Sequence, residues 1–282
     1  LLDKEKEMKQ KIMKENFKKI KHKILVLSGK GGVGKSTVTV NTAYALKAKG
    51  YKVGILDIDL HGPSIAKMTG IETARIEGDE SGLLKPLKTR DGVDVISISP
   101  MLEKSDTPVI WRGPLKMKAI QEFFDSVNWS ELDYLIIDSP PGTGDEPLTA
   151  LQIIEGIDGV IIVTTPQDIA TSDVSRSISF VKAMNKRILG LVENMSYFIC
   201  SKCGEKHFIF GEGGAEKLAE KYNLDILGKI PIDKRIMEHS DSGNPIVISE
   251  KDSESSKEYM KISEEIIKRT EEGDSTGEDN HG

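Results

Sequence analysis

Cysteine is nearly missing from this sequence. The 282 residues hold two, Cys200 and Cys203, spaced as C-x-x-C. Two thiols exclude a disulfide framework, and two thiolates fall short of the four ligands of a closed tetrahedral metal site. Long apolar runs are missing too: none reaches the roughly 20 residues needed to cross a bilayer. The N-terminal stretch "LLDKEKEMKQKIMKENFKKIKHK" lacks the apolar middle of a secretory signal, so the reducing cytoplasm is the expected compartment. Nor is there a surplus of positive charge. Lys and Arg number 39 against 45 Asp and Glu, a formal net charge of -6. That balance argues against a nucleic-acid partner held by bulk electrostatics. The acidic C-terminal end, with no basic amphipathic stretch, argues against a membrane partner. Gln is scarce while Lys, Glu and Ile are plentiful, a bias seen in heat-adapted proteins.

What is present is a series of short β-branched runs alternating with helical stretches. "KILVLS" (23–28), "KVGILD" (52–57), "VDVISI" (93–98), "YLIID" (134–138), "GVIIVT" (159–164), "ILGLVEN" (188–194) and "ILGKIP" (226–231) read as strands. Most are apolar throughout, the pattern of strands covered on both faces. The expected fold class is therefore α/β, a mainly parallel sheet with helices on both faces. Residues 1–23 read as a Lys-rich helix with a thin apolar stripe of Met8, Ile12 and Ile20. Residues 24–270 read as one domain carrying a C-x-x-C loop near 197–211, and 72–92 as a polar connection or small hairpin. Tyr259, Met260, Ile262, Ile266 and Ile267 sit at helical spacing and predict a docking helix, and 271–282 read as an acidic disordered tail.

"GKGGVGKS" (29–36) fits G-x-x-x-x-G-K-[ST] between a strand and a helix, the P-loop context. Gly29, Gly31, Gly32 and Gly34, with Val33 between them, let the backbone curl so that its N–H groups and the helix start at Lys35, Ser36 and Thr37 hold phosphate oxygens. Lys35 reaches the terminal phosphates, and Ser36 offers a hydroxyl to Mg²⁺. Asp57 and Asp59 end one strand and Asp138 another. Carboxylates at such ends face the crevice where ligands bind in open α/β sheets. Asp138 is the expected Mg²⁺ partner, directly or through water, Asp59 the residue that orients an attacking water, and the Gly142 backbone a γ-phosphate sensor. Catalysis would be positioning plus charge neutralisation. Lys30 can hardly fold onto the phosphates that Lys35 holds; it is either a solvated loop lysine or a reach toward a second subunit's nucleotide. The loop resembles the deviant Walker A motif of MinD/ParA-like ATPases, which form nucleotide-sandwich dimers, and the resemblance favours the second.

Three readings compete for the cysteines. A thioredoxin-like dithiol wants a helix N-terminus, whereas a glycine directly follows the pair and predicts a turn. Structural zinc with His207 as third ligand lacks a fourth. Two copies of the chain would supply four thiolates about a two-fold axis, which suits a [4Fe–4S] cluster and a four-thiolate zinc site equally.

The chain as a whole resembles the Mrp/ApbC-type P-loop ATPases, which are iron–sulfur cluster carriers. "GKGGVGKS", "DIDLHGPS" (57–64), "WRGP" (111–114), "DSPPGTGD" (138–145), "TTPQDIA" (164–170) and "ENMSYFICSKCGEKHFIFGEGG" (193–214) carry the likeness. The last separates the family from its MinD and ParA relatives. The resemblance implies a homodimer that binds and hydrolyses ATP, bridges one [4Fe–4S] cluster on Cys200 and Cys203 of both subunits, and passes it to apo-proteins. It implies that Asn194 contacts the adenine and that the loop after Pro231 closes over the base. The four-cysteine N-terminal segment of some relatives and the small N-terminal domain of others are not seen, which leads to the expectation of one cluster site per dimer. A positioning ATPase of the MinD/ParA kind and a zinc-stapled scaffold are the alternatives.

Overall fold

The computed structural model describes residues 17–59, 64–80, 82–97, 118, 121, 123–124, 126–142, 144, 147, 150–152, 154, 156–167 and 172–277, the last few without side chains. The "WRGP" stretch lies outside the described residues, as do parts of the three neighbouring motifs, at 60–63, 143, 145 and 168–170.

The strands are β1 (Ile20–Ser28), β2 (Val53–Asp57), β3 (Leu87–Lys88), β4 (Asp94–Ser97), β5 (Leu132–Asp138), β6 (Ile157–Thr164), β7 (Ile188–Glu193), β8 (Phe198–Ile199), β9 (Lys206–His207) and β10 (Ile226–Lys229). The helices are α1 (Lys35–Ala48), α2 (Ile65–Met68), α3 (Ser172–Ala183), α4 (Gly214–Tyr222), α5 (Lys234–Asp241), α6 (Ile246–Ser249) and α7 (Glu254–Gly277). Eight strands form one sheet in the order β10-β7-β6-β1-β5-β2-β4-β3, and β8 and β9 form a separate hairpin. Every pair in the large sheet is parallel except β3 with β4. The expected α/β fold with a mainly parallel sheet is the one observed.

Side chains alternate between the two faces of a strand, and both faces here are buried. Ile24, Ile136 and Ile55 lie in register across β1, β5 and β2 and pack on the face that receives α1 and α7. Leu25, Ile137 and Leu56, one residue on, pack on the opposite face with Val174 and Ile178 of α3. One further step brings Val26, Asp138 and Asp57 into register on the α1 side. The phosphate-side chemistry thus occupies the last row of an otherwise apolar face. Helix α1 is buried almost all round because α7 covers its outer side, with Tyr259, Ile262 and Ile266 in the same cluster.

Two sequence expectations are corrected here. Residues 20–23, placed in the N-terminal helix, begin β1. Ile20 is buried, His22 Nδ1 lies 3.2 Å from Asp158 Oδ1, and the buried Lys23 Nζ donates to the Ile20 carbonyl. The Asp158 carboxylate makes this row tolerable inside. Residues 271–277, placed in a disordered tail, continue α7. The run holds no proline, so Gly273 weakens the helix without ending it, and the packed first turns have already met the nucleation cost.

Ile136 sits in the middle strand of that apolar row and is fully buried. Ile136→Ala is expected to lower unfolding free energy by about 2–5 kcal/mol, read as a lower urea midpoint with unchanged m-value.

Candidate nucleotide and metal site

Strand β1 ends at Ser28 and the chain curls through 29–34 into α1. Ser28 Oγ donates to the Lys30 carbonyl at 3.0 Å. Gly32 and Gly34 both have φ of 81°, a region that favours glycine. A Cβ on Gly29 would come within 2.7 Å of the Asp173 backbone, so α3 also requires a glycine there. Helix α1 starts with no side-chain cap and no acidic residue in its first turn. Its free N–H groups and positive dipole end therefore face the curl without a built-in anion. Lys30, Gly31, Gly32, Gly34, Lys35, Ser36, Thr37 and Asp59 line a cleft of ≈ 210 Å³ there. Val33 is buried behind it.

Asp138 lies beneath the cleft, fully buried at the end of β5. Its Oδ2 accepts from Ser36 Oγ at 2.6 Å and its Oδ1 from Thr39 Oγ1 at 2.7 Å. Lys35 Nζ stands 2.7 Å from the same Oδ1 and 3.9 Å from Asp59 Oδ2. The approach to Asp138 is close but poorly directed, so the buried ammonium makes no aligned hydrogen bond. A buried ammonium that is ion-paired but lacks an aligned acceptor, beside glycine N–H groups, is the arrangement a phosphate would complete. Ser36 and Asp138 give adjacent hard oxygens, which fit Mg²⁺ held by few protein ligands together with water and phosphate.

Asp57 neighbours Asp138 in register, accepts from Asp59 N–H at 3.0 Å and from Ser97 Oγ at 2.9 Å, and is fully buried. Burial first and the Asp138 charge second push its carboxyl up to about 8, against the pull of those two donors and Lys35. Asp57 thus supports the site from below, while Asp59 reaches the cleft.

Asn194 lies just past β7 behind the loop. Its Nδ2 donates to the Val33 carbonyl at 2.8 Å, and its N–H donates to Thr164 O. Pro231 is buried just past β10. The chain after it is pinned by Asp233, which caps α5 by accepting from Arg235 N–H and pairs with the Arg235 guanidinium. The Gly142 N–H donates to Ser28 O at 2.8 Å, so this donor is committed to β1 rather than turned to the cleft.

Cys200 and Cys203 occupy the turn between β8 and β9, not a helix start. Cys200 N–H donates to Glu205 O at 2.9 Å and Gly204 N–H to Cys200 O at 2.8 Å. Cys200 is half-buried and Cys203 exposed. The backbone N–H groups of Cys203 and Lys202, with the Cys203 thiol, hold the Cys200 thiol below its ordinary range. His207, 49% exposed and 3.9 Å from Glu205, adds no third ligand: among the described residues no three His, Cys, Asp or Glu group to hold a metal. Phe198, Phe208 and Ile209 are exposed around the hairpin.

A family model described as "NUBPL iron-transfer P-loop NTPase" (ParA) matches residues 19–267. The chain belongs to that family. An iron-sulfur cluster carrier protein of Methanocaldococcus jannaschii is 50% identical over 259 residues, 92% of this chain and 88% of that one. Another, of Saccharolobus solfataricus, is 49% identical over 255 residues, 90% of this chain and 86% of that one. Among solved structures, a nucleotide-binding protein of Archaeoglobus fulgidus in complex with ADP is 41% identical at a TM-score of 0.76, covering 89% of this chain and 95% of that one. The cell division ATPase MinD of Pyrococcus furiosus is 26% identical at a TM-score of 0.66, covering 88% and 99%. No described helix of this P-loop NTPase is long and apolar enough to cross a membrane.

Thr39 and Ser97 are site residues of this NTPase that the motifs did not reveal. Thr39 follows Lys35 by one helical turn and so shares its face, a spacing legible in the sequence. Ser97 becomes visible only once β4 is known to neighbour β2.

Lys35→Ala is expected to weaken nucleotide affinity at least about tenfold, the equivalent of ~1.4 kcal/mol, measured by fluorescent-nucleotide titration. A carboxyl raised above its unfolded range binds its proton in the folded chain and releases it on unfolding. Without nucleotide and magnesium, the Asp57 contribution to stability is therefore full near pH 4 and lost as pH rises through about 8. Asp57→Asn should remove that slope, and urea midpoints measured across this range check it.

Proposed function

We propose that this chain is an ATP-hydrolysing homodimeric carrier that holds one [4Fe–4S] cluster on Cys200 and Cys203 of both subunits and passes it to apo-proteins. One observation carries the reading. The only two cysteines of the sequence stand together on an exposed hairpin turn, half of a four-thiolate set, in an iron-transfer NTPase family. A second copy across a two-fold axis supplies the other half. The names of the relatives, which are cluster carrier proteins, support the cargo. An exposed turn also suits a cargo that must leave, because few contacts need to break.

At the nucleotide site, Lys35 binds the terminal phosphates and the loop N–H groups orient them. Lys30 is exposed at the loop tip, where it can reach a nucleotide of the facing subunit. Asp59 at the cleft wall orients the attacking water. Mg²⁺, when bound, would supply charge neutralisation at Ser36 and Asp138. Asn194, with the loop after Pro231, bounds the base side in this reading. The cytoplasm, with its reduced thiols, is the compartment in which such a pair stays free.

Anaerobic reconstitution with iron and sulfide is expected to give about four irons per dimer, and Cys200→Ser to lose them. Equal iron in the variant, or one metal fully held by an isolated monomer, would overturn the carrier reading. Zinc in place of iron, in protein purified without oxygen, would favour the scaffold alternative.

A further inference from the structure

The phosphate loop and the cysteine hairpin are joined by one short path of directed contacts. It begins at the peptide between Val33 and Gly34. Its carbonyl accepts from Asn194 Nδ2 at 2.8 Å. The Val33–Gly34 peptide is trans, so the N–H of the same rigid plane, that of Gly34, points away from Asn194, and Gly34 lines the cleft. A phosphate drawn to that N–H and Asn194 on the carbonyl would act on opposite ends of one plane. The fit is tight: a Cβ on Gly34 would lie 2.2 Å from Asn194 Nδ2.

From Asn194 the chain runs directly to Cys200. Met195 has φ of 55°, uncommon for a side chain of its kind, which fixes the reversal out of β7. Ser196 N–H donates to Ile230 O at 2.9 Å, and its hydroxyl to the buried Glu193 at 2.5 Å. Ile232 N–H donates to Tyr197 O at 2.6 Å, and Phe198 bridges Ile232. Cys200 follows, bonded across the turn to Glu205.

We propose that Asn194 and Met195 are positioning residues that transmit phosphate-loop occupancy to the cysteine hairpin. Filling the loop fixes the Val33–Gly34 plane, which fixes the Asn194 amide, which stiffens the segment carrying Cys200. Coupling of this kind needs two sites and a connecting element whose state both bias. The inference rests on the nucleotide and cysteine sites proposed above, but not on the identity of the cargo.

Hydrogen exchange on the reduced full chain, free of iron and zinc, tests it with Mg²⁺ and ADP, at a concentration where light scattering gives one mass with and without nucleotide. Saturating ADP is expected to slow exchange of peptides covering 29–37 and, by about threefold to tenfold, those covering 197–208. In Met195→Gly, which frees the reversal without touching the loop hydrogen bond, the loop peptides should still respond and the hairpin peptides should not. Asn194→Ala, which also alters the base side, is compared at an ADP concentration that saturates that variant and should likewise lose the hairpin response. A wild-type hairpin indifferent to bound ADP, or a hairpin response retained in Met195→Gly, would overturn the proposal. Iron stoichiometry of the same variants is a separate readout, so failure here leaves the cargo assignment to its own test.

Discussion

The buried carboxylate of Asp138 is the interaction on which the phosphate end of the molecule depends. It stands in the last row of an apolar sheet face, and three groups of α1 converge on it: Ser36, Thr39 and Lys35. Hydrogen bonds to an ionised group are worth roughly 1.5–3 kcal/mol each, so the pair from Ser36 and Thr39 anchors the helix start to the sheet. Without an anchor, the glycine loop between β1 and α1 would have little to hold its curl. Burying that charge has a cost, which the structure locates next door: Asp57 is forced toward its neutral form because two adjacent carboxylates cannot both ionise cheaply in a dry row.

The cysteine hairpin follows an opposite logic. It is exposed, held to the body through Tyr197 and Phe198, and fringed by apolar side chains that face solvent in the single chain. A rigid, buried phosphate centre and an open thiol turn are well suited to different tasks, binding and release. Asn194, which donates to the Val33 carbonyl and shortly precedes Cys200 in the chain, lies between them. Any coupling between them is reciprocal in binding free energy: whatever nucleotide does to the hairpin, occupancy of the hairpin does to nucleotide affinity.

Much of the fold was legible because its strands are buried on both faces and so read as continuous apolar runs, as in "YLIID" and "GVIIVT". The P-loop and the strand-end aspartates were legible because their chemistry is local: a glycine curl needs glycines in series, and a crevice carboxylate sits at a strand end. What was not legible is long-range. Nothing near Asn194 announces that its amide seats on Val33, a contact between distant parts of the chain. Nothing near His22 and Lys23 announces their burial, because the partner that makes it tolerable, Asp158, comes from β6. The last turns of α7 read as a tail because composition reports charge, not the helix already running into them. For the cysteine pair, the sequence left the choice between a helix start and a turn to the glycine that follows it, and the hairpin settles the backbone geometry alone.

The margins of the large sheet carry a consequence for how copies of this chain can meet. On one side β3 offers only Leu87–Lys88, and on the other β10 is four residues long and backed by α4 and α7. Neither gives the long, flat backbone ladder that recruits a foreign strand. Among the described residues, then, neither margin favours association by extending the sheet. Contacts made through side chains instead can form and part without disturbing a single rung of the core.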